Sequence, residues 1–187
     1  MEKELKKTIQ YLKQGKVILY PTDTVWGIGC DATNSRAIQK IYNIKKREET
    51  KSMIILVDSI EMLRDYVQDV PDVAVELNQS ISDPLTVIYP KAKGLASNLI
   101  ADDGTIAIRV VKHDFCKDII KGLGKPIVST SANISGMPTP ISFDYIEDEI
   151  KDQMDYTVSL FRQNVERIKP STIIRIEHDG SYTVIRK

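Results

Sequence analysis

Apolar positions near the start of the chain keep changing their spacing, and each change predicts an element. Leu5, Ile9 and Leu12 recur at helical intervals among charged residues, with Gly15 as a terminator, which predicts a surface helix over residues 2–14. Val17-Ile18-Leu19-Tyr20 is continuous and β-favouring, a buried strand that Pro21 ends because proline lacks a backbone donor. Ser35 is placed to cap a second helix whose stripe is Ile38, Ile41 and Tyr42 and which runs into Lys45-Lys46-Arg47.

The same reading continues to the end of the chain. Met53 to Val57 predicts a strand, Ser59 opens a short helix, Pro71 suits the first turn of another, and Leu85 to Tyr89 returns to strand. TIAIRV, residues 105–110, alternates, so Arg109 faces away from Ile108 and Val110. Asp114 caps a helix through Ile120 that Gly122 and Gly124 break, and Pro126 to Val128 starts a strand that exits into Ser129-Thr130-Ser131-Ala132-Asn133. Residues 143–154 carry a weaker helical pattern, and STIIRIEHDGSYTVIRK predicts a hairpin turning at Asp179-Gly180. Helices and strands alternate, which is the α/β pattern.

Composition narrows the function classes. The 187 residues are of one-domain size, and 26 Lys plus Arg against 26 Asp plus Glu leave no overall positive field for a general nucleic-acid binder, though a local basic pocket stays open. The N-terminus lacks the apolar core of a signal peptide, and no run reaches membrane-spanning length, so a cytoplasmic location without membrane contact is expected. Cys30 and Cys116 are too isolated for a metal site or a disulfide framework.

The candidate chemistry sits at two hydroxyl-rich strand exits. YPTDTVWGIGC, residues 20–30, and STSAN, residues 129–133, each read either as a turn whose hydroxyls bond their own backbone or as a binding edge. KKREETK reads as a solvated charge run, or as a segment whose Lys45 and Arg47 project to one side and clamp phosphate or carboxylate oxygens. Arg109, amid apolar neighbours, must face solvent or meet an anion. His113 and His178 lie by charged residues and are expected at the surface, which removes a histidine-based triad; neither a P-loop nor a dinucleotide fingerprint is present.

The segments YPTDTVWGIGCDA, IKKREETKSM, DPLTVIY, IAIRV, KPIVSTSANISGMP and PSTII, in this order from residue 20 to residue 174, closely resemble the YrdC-like family of L-threonylcarbamoyladenylate synthases. The resemblance implies a single α/β domain over residues 1–187, a twisted mixed β-sheet flanked by helices with an open concave cleft. It implies that L-threonine, bicarbonate and ATP give L-threonylcarbamoyl-AMP and pyrophosphate, with Mg2+ accompanying ATP. The product would serve a separate tRNA threonylcarbamoyl transferase complex that modifies the adenosine beside the anticodon, and a weak contact of this chain with tRNA or other RNA stays open.

The family's Lys-x-Arg and Ser-x-Asn tetrad falls on Lys45, Arg47, Ser131 and Asn133. The resemblance implies that these, with Arg109, neutralise and position the nucleotide while Thr22, Asp23 and Thr24 receive threonine. The same motifs add Trp26, Lys51, Thr130, Ser171 and Thr172 to the substrate-binding set. Trp26 stands where the family usually has Tyr, Ile81-Ser82-Asp83 where it has Trp-Pro-Gly, and Val111 where it commonly has Pro, departures that bear on pocket shape. The long form's extra C-terminal domain has no counterpart here, which implies the short bacterial type. The alternatives are a double-stranded RNA-binding module and a carbamoyl-AMP-forming enzyme of the hydrogenase-maturation type.

Overall fold

The computed structural model describes residues 1–49, 52–162, 170–177 and 179–187, so Lys51 and His178 lie outside the described residues. The strands are β1 (Ile18–Tyr20), β2 (Gly27–Gly29), β3 (Ile54–Val57), β4 (Leu85–Tyr89), β5 (Ile106–Val110), β6 (Ile127–Ser131), β7 (Tyr156–Thr157), β8 (Thr172–Ile176) and β9 (Tyr182–Arg186). They form one mixed sheet in the order β7-β1-β2-β6-β3-β5-β4-β8-β9. The helices are α1 (Glu2–Lys13), α2 (Ser35–Lys45), α3 (Ile60–Tyr66), α4 (Asp72–Ser80), α5 (Asp114–Leu123) and α6 (Asp148–Lys151).

Alternation along each strand divides the core in two. Leu19, Ile28, Ile55, Val57, Val128, Ile108, Val87 and Ile174 point to one side, where Ile38 and Ile41 of α2, Leu63 of α3 and Ala74 of α4 cover them. Ile18, Tyr20, Leu56 and Ile127 point to the other, under Leu12 of α1 and Phe115, Ile119 and Ile120 of α5. Gly122 permits that layer to close, because a Cβ there would stand 2.2 Å from the Cδ1 of Ile9. The described helices of this second layer pack over the β1, β6 and β3 side of the sheet, and the same face of β5, β4 and β8 forms the floor of a cavity.

Several expected boundaries moved for physical reasons. Asn34, not Ser35, caps α2, its side chain accepting from the backbone N–H groups of Arg36 and Ala37. Ser59 caps α3 as expected, accepting from Met62, whereas Asp114 is the first residue of α5 and makes no side-chain cap. Pro71 stands just before α4 rather than inside its first turn. Over residues 143–154 only a 3-10 turn at Phe143–Tyr145 and the short α6 form. β2 and β7 were not expected at all, since a strand reading Gly-Ile-Gly has little intrinsic β preference. His113 is half-buried rather than superficial, its ring edge-on to Phe161 at 5.6 Å.

Candidate functional site

Cross-strand neighbours share a face of a sheet, and four such pairs furnish both members to one cavity. They are Gly27 with Ser131, Ile54 with Ser129, Ile88 with Ala107, and Ile173 with Arg186. Loops complete the wall with Thr22, Thr24, Arg47, Thr139 and Ser171, and the cavity encloses about 330 Å³. A second hollow of about 370 Å³ adjoins it, sharing Ser52, Ile88 and Ala107 and continuing past Asp102, Asp103, Thr105 and Arg175.

The main cavity is cationic. Arg47, Arg109 and Arg186 reach it from three separate parts of the chain, and among the described residues no carboxylate lines it. Burial lowers the pKa of the Arg47 and Arg186 guanidiniums, and Arg109 adds a repulsive push at Arg186. Crowded, partly desolvated guanidiniums of this kind favour an anionic occupant. Arg47 donates to the carbonyl of Ser52 at 2.9 Å, and Arg186 donates to the carbonyl of Ser171. Arg109 meets its anion within the protein, Asp23, whose other carboxylate oxygen accepts from the backbone N–H of Lys112.

Lys45 and Arg47 do not form one clamp. Lys45 is the last residue of α2, Lys46 turns left-handed (φ 49°), and the two flanking side chains diverge. Arg47 lines the cavity, while Lys45 is 1% exposed and sits behind it. Its ammonium donates to the carbonyls of Ser131 at 2.5 Å and Asn133 at 2.6 Å. Burial, helped by the Arg47 charge, pulls its pKa down to about 7. The extended, same-side geometry expected from the spacing is thereby corrected, because the helix persists through Lys45.

The remaining expected site residues divide in the same way. Ser131, Thr130, Thr22, Thr24, Arg109 and Ser171 line the cavity, whereas Asp23, Trp26, Asn133 and Thr172 do not. The Thr22 hydroxyl donates to the carbonyl of Val25 at 2.7 Å and accepts from the N–H of Thr24, so this loop is both a self-bonded turn and a cavity edge. Trp26 is buried, its ring 4.9 Å from that of Phe143. The Asn133 amide donates to the carbonyls of Ile134 and Met137, closing the turn beyond β6. Thr172 starts β8 opposite Leu85, and the Ser171 hydroxyl shares a 2.7 Å hydrogen bond with Thr86.

Ser52, Thr139 and Arg186 line the cavity without having been singled out from the sequence, and Ser129, read there only as part of the STSAN exit, joins them. Arg186 could have been found from the alternation of the last strand, since its partner Ile173 stands on the side opposite core residue Ile174. Among the described residues no histidine or cysteine lines the cavity, and no group of three or more His, Cys, Asp or Glu comes together. No helix of the described residues is long and apolar enough to cross a membrane.

Comparison with known proteins gives these observations a setting. A family model named for Sua5, YciO and YrdC, described as "Telomere recombination", matches residues 10–187. The threonylcarbamoyl-AMP synthase of Pseudoalteromonas translucida (strain TAC 125) is 38% identical over 153 residues, covering 80% of this chain and 82% of that protein. That of Aliivibrio fischeri (strain ATCC 700601 / ES114) is 36% identical over 183 residues, 96% of this chain and 97% of that one. The crystal structure of P. abyssi Sua5 complexed with L-threonine superposes with a TM-score of 0.89 at 26% identity over 100% of this chain, which spans 54% of the Sua5 chain. E. coli YciO, with a TM-score of 0.85 at 23% identity over 100% of this chain and 90% of its own, shares the fold.

Proposed function

The chain belongs to the Sua5, YciO and YrdC family, and we propose from that membership that it is a threonylcarbamoyl-AMP synthase, joining L-threonine, bicarbonate and ATP with release of pyrophosphate. One observation carries the chemistry: three guanidiniums, of Arg47, Arg109 and Arg186, face a single cavity whose wall, among the described residues, has no acid. The reaction brings an anionic carbamate against a polyphosphate, so its main demand is charge neutralisation and alignment.

The nucleophile is the carbamate that threonine's amine forms with bicarbonate as its nitrogen bonds to the bicarbonate carbon and water leaves. A carbamate oxygen bonds to the α-phosphorus of ATP as the bond to the bridging oxygen breaks, and pyrophosphate leaves with that electron pair. The arginines hold the negative charge of both reactants and of the leaving group in a site where part of their own hydration is already removed. The hydroxyls of Ser129, Thr130 and Ser131 offer donors along one wall, and the Thr22 and Thr24 edge faces them. The adjoining hollow gives room for a second substrate beside the first. Magnesium enters as part of the nucleotide substrate.

The product serves tRNA modification through a separate transferase complex in the cytoplasm, with at most a weak contact between this chain and RNA. The decisive experiment is mass spectrometry of a reaction holding ATP, bicarbonate and L-threonine. Threonylcarbamoyl-AMP and pyrophosphate should form only when all three are present. Threonine-independent turnover with carbamoyl phosphate would instead identify a carbamoyl-AMP-forming enzyme, and RNA binding without turnover would identify a binding module.

A further inference from the structure

Lys45 sits behind the cavity, yet its side chain and its own carbonyl both bond to the segment that forms part of the rim. Its ammonium is bonded to the carbonyls of Ser131 and Asn133, the residues at which β6 ends and the next turn begins. Its own carbonyl accepts from the N–H of Ser135 at 2.8 Å. The Ser131 carbonyl also accepts from the N–H of Asn133, and the Asn133 amide donates to Ile134 and Met137. This closes a turn that passes through Gly136 at φ 86° and leads to Thr139 on the cavity wall.

We propose that Lys45 is a positioning residue: it touches neither substrate, and it fixes the Ser131 hydroxyl and the turn leading to Thr139 by bracketing the carbonyls of Ser131 and Asn133 from the end of α2. The tetrad then has two kinds of member. Arg47 and Ser131 face the cavity, while Lys45 and Asn133 hold the segment that presents Ser131. A buried lysine suits this bracket because one ammonium can donate to both carbonyls, which no neutral apolar side chain of similar length can do. The ammonium has a third donor, but Lys45 is 1% exposed and does not line the cavity, so reaching a phosphate would move it away from carbonyls that would then lose that partner.

This inference rests on the synthase reading, so wild-type formation of threonylcarbamoyl-AMP is established first; its absence would refute that reading and not the bracket. Lys45→Met, Ser131→Ala and the double variant are then compared in kcat/KM. Lys45→Met should lose on the order of 100-fold, the scale of misplaced catalytic geometry, and Ser131→Ala should add less than about twofold on that background because both act through one group. Multiplying losses would overturn the proposal. ATP affinity measured against salt gives a second reading. The salt dependence should match wild type in Lys45→Met and weaken in Arg47→Ala, which removes a charge facing the cavity. Equal weakening in both variants would place Lys45 on the nucleotide and end the proposal. Lys45→Gln, which is shorter and uncharged but keeps an amide nitrogen with two N–H donors, replaces Lys45→Met in both measurements if the latter does not fold.

Discussion

Asp23 Oδ1 lies 3.0 Å from Arg109 Nη2, and the two side chains are only 10% and 4% exposed. The pair ties the loop after β1 to the middle of the sheet and partly offsets the charge of one of the three cavity arginines. Removing one member leaves a buried charge without a partner, a loss of roughly 3–5 kcal/mol. Asp23→Ala should therefore lower stability by about 3 kcal/mol or more, and pairing it with Arg109→Met should recover part of the loss. Urea unfolding of the single and double variants measures this. An unchanged midpoint for Asp23→Ala would show that water compensates the arginine.

Arg47 faces the cavity from a turn, and its described hydrogen bond runs to the nearby Ser52 carbonyl. Its loss should leave the core intact and fall mainly on the reaction. Arg47→Ala is expected to cost about 3 kcal/mol of transition-state stabilisation, on the order of 100-fold in kcat. Pyrophosphate-release kinetics and a thermal melt together decide the point. Near wild-type turnover would return Arg47 to the solvated charge run.

Gly29 is a packing requirement. A Cβ at this position would stand 2.5 Å from the Val128 carbonyl oxygen and 2.6 Å from the Tyr20 ring, and the carbonyl belongs to the β6 backbone. Gly29→Ala should destabilise the fold by about 1–3 kcal/mol, the range for overpacking. Chemical denaturation that finds the variant as stable as wild type would mean that β2 and β6 can separate freely.

Lys45 gives stability a pH dependence of defined sign. Its folded pKa, about 7, lies below the ordinary lysine value of 10.5, so between those values the unfolded chain binds the extra proton. Stability from this group is complete above pH 10.5, declines as pH falls, and reaches its floor below about 7. The buried thiols of Cys30 and Cys116 have raised pKa values and oppose the trend from near their ordinary value of 9.0 upward. The window from about pH 7 to 8.5 is therefore diagnostic. Wild-type melting temperature should rise across it and that of Lys45→Met should not; identical slopes would show that Lys45 titrates normally.

Local pattern determined much of this protein by itself. Period-3.6 stripes give α1, α2 and α5, apolar runs give β1, β3 and β6, and the terminal hairpin follows from Asp179-Gly180, because each rests on contacts or backbone preferences a few residues apart. The alternation of β5 also places Arg109 on the face away from the core, and the ordered motifs point to the family that the comparisons show. β2 was hidden because Gly27 and Gly29 have little β preference of their own; its register is imposed by β1 and β6 on either side. The tertiary structure alone decided that Asp23 meets Arg109 across 86 positions, that Arg186 joins Arg47 in one cavity, and that Lys45 turns to the carbonyls of β6. Those relations depend on strand order and on where helix α2 stops relative to β6. Such long-range geometry is set by packing the whole sheet, and residue spacing along the chain carries no record of it.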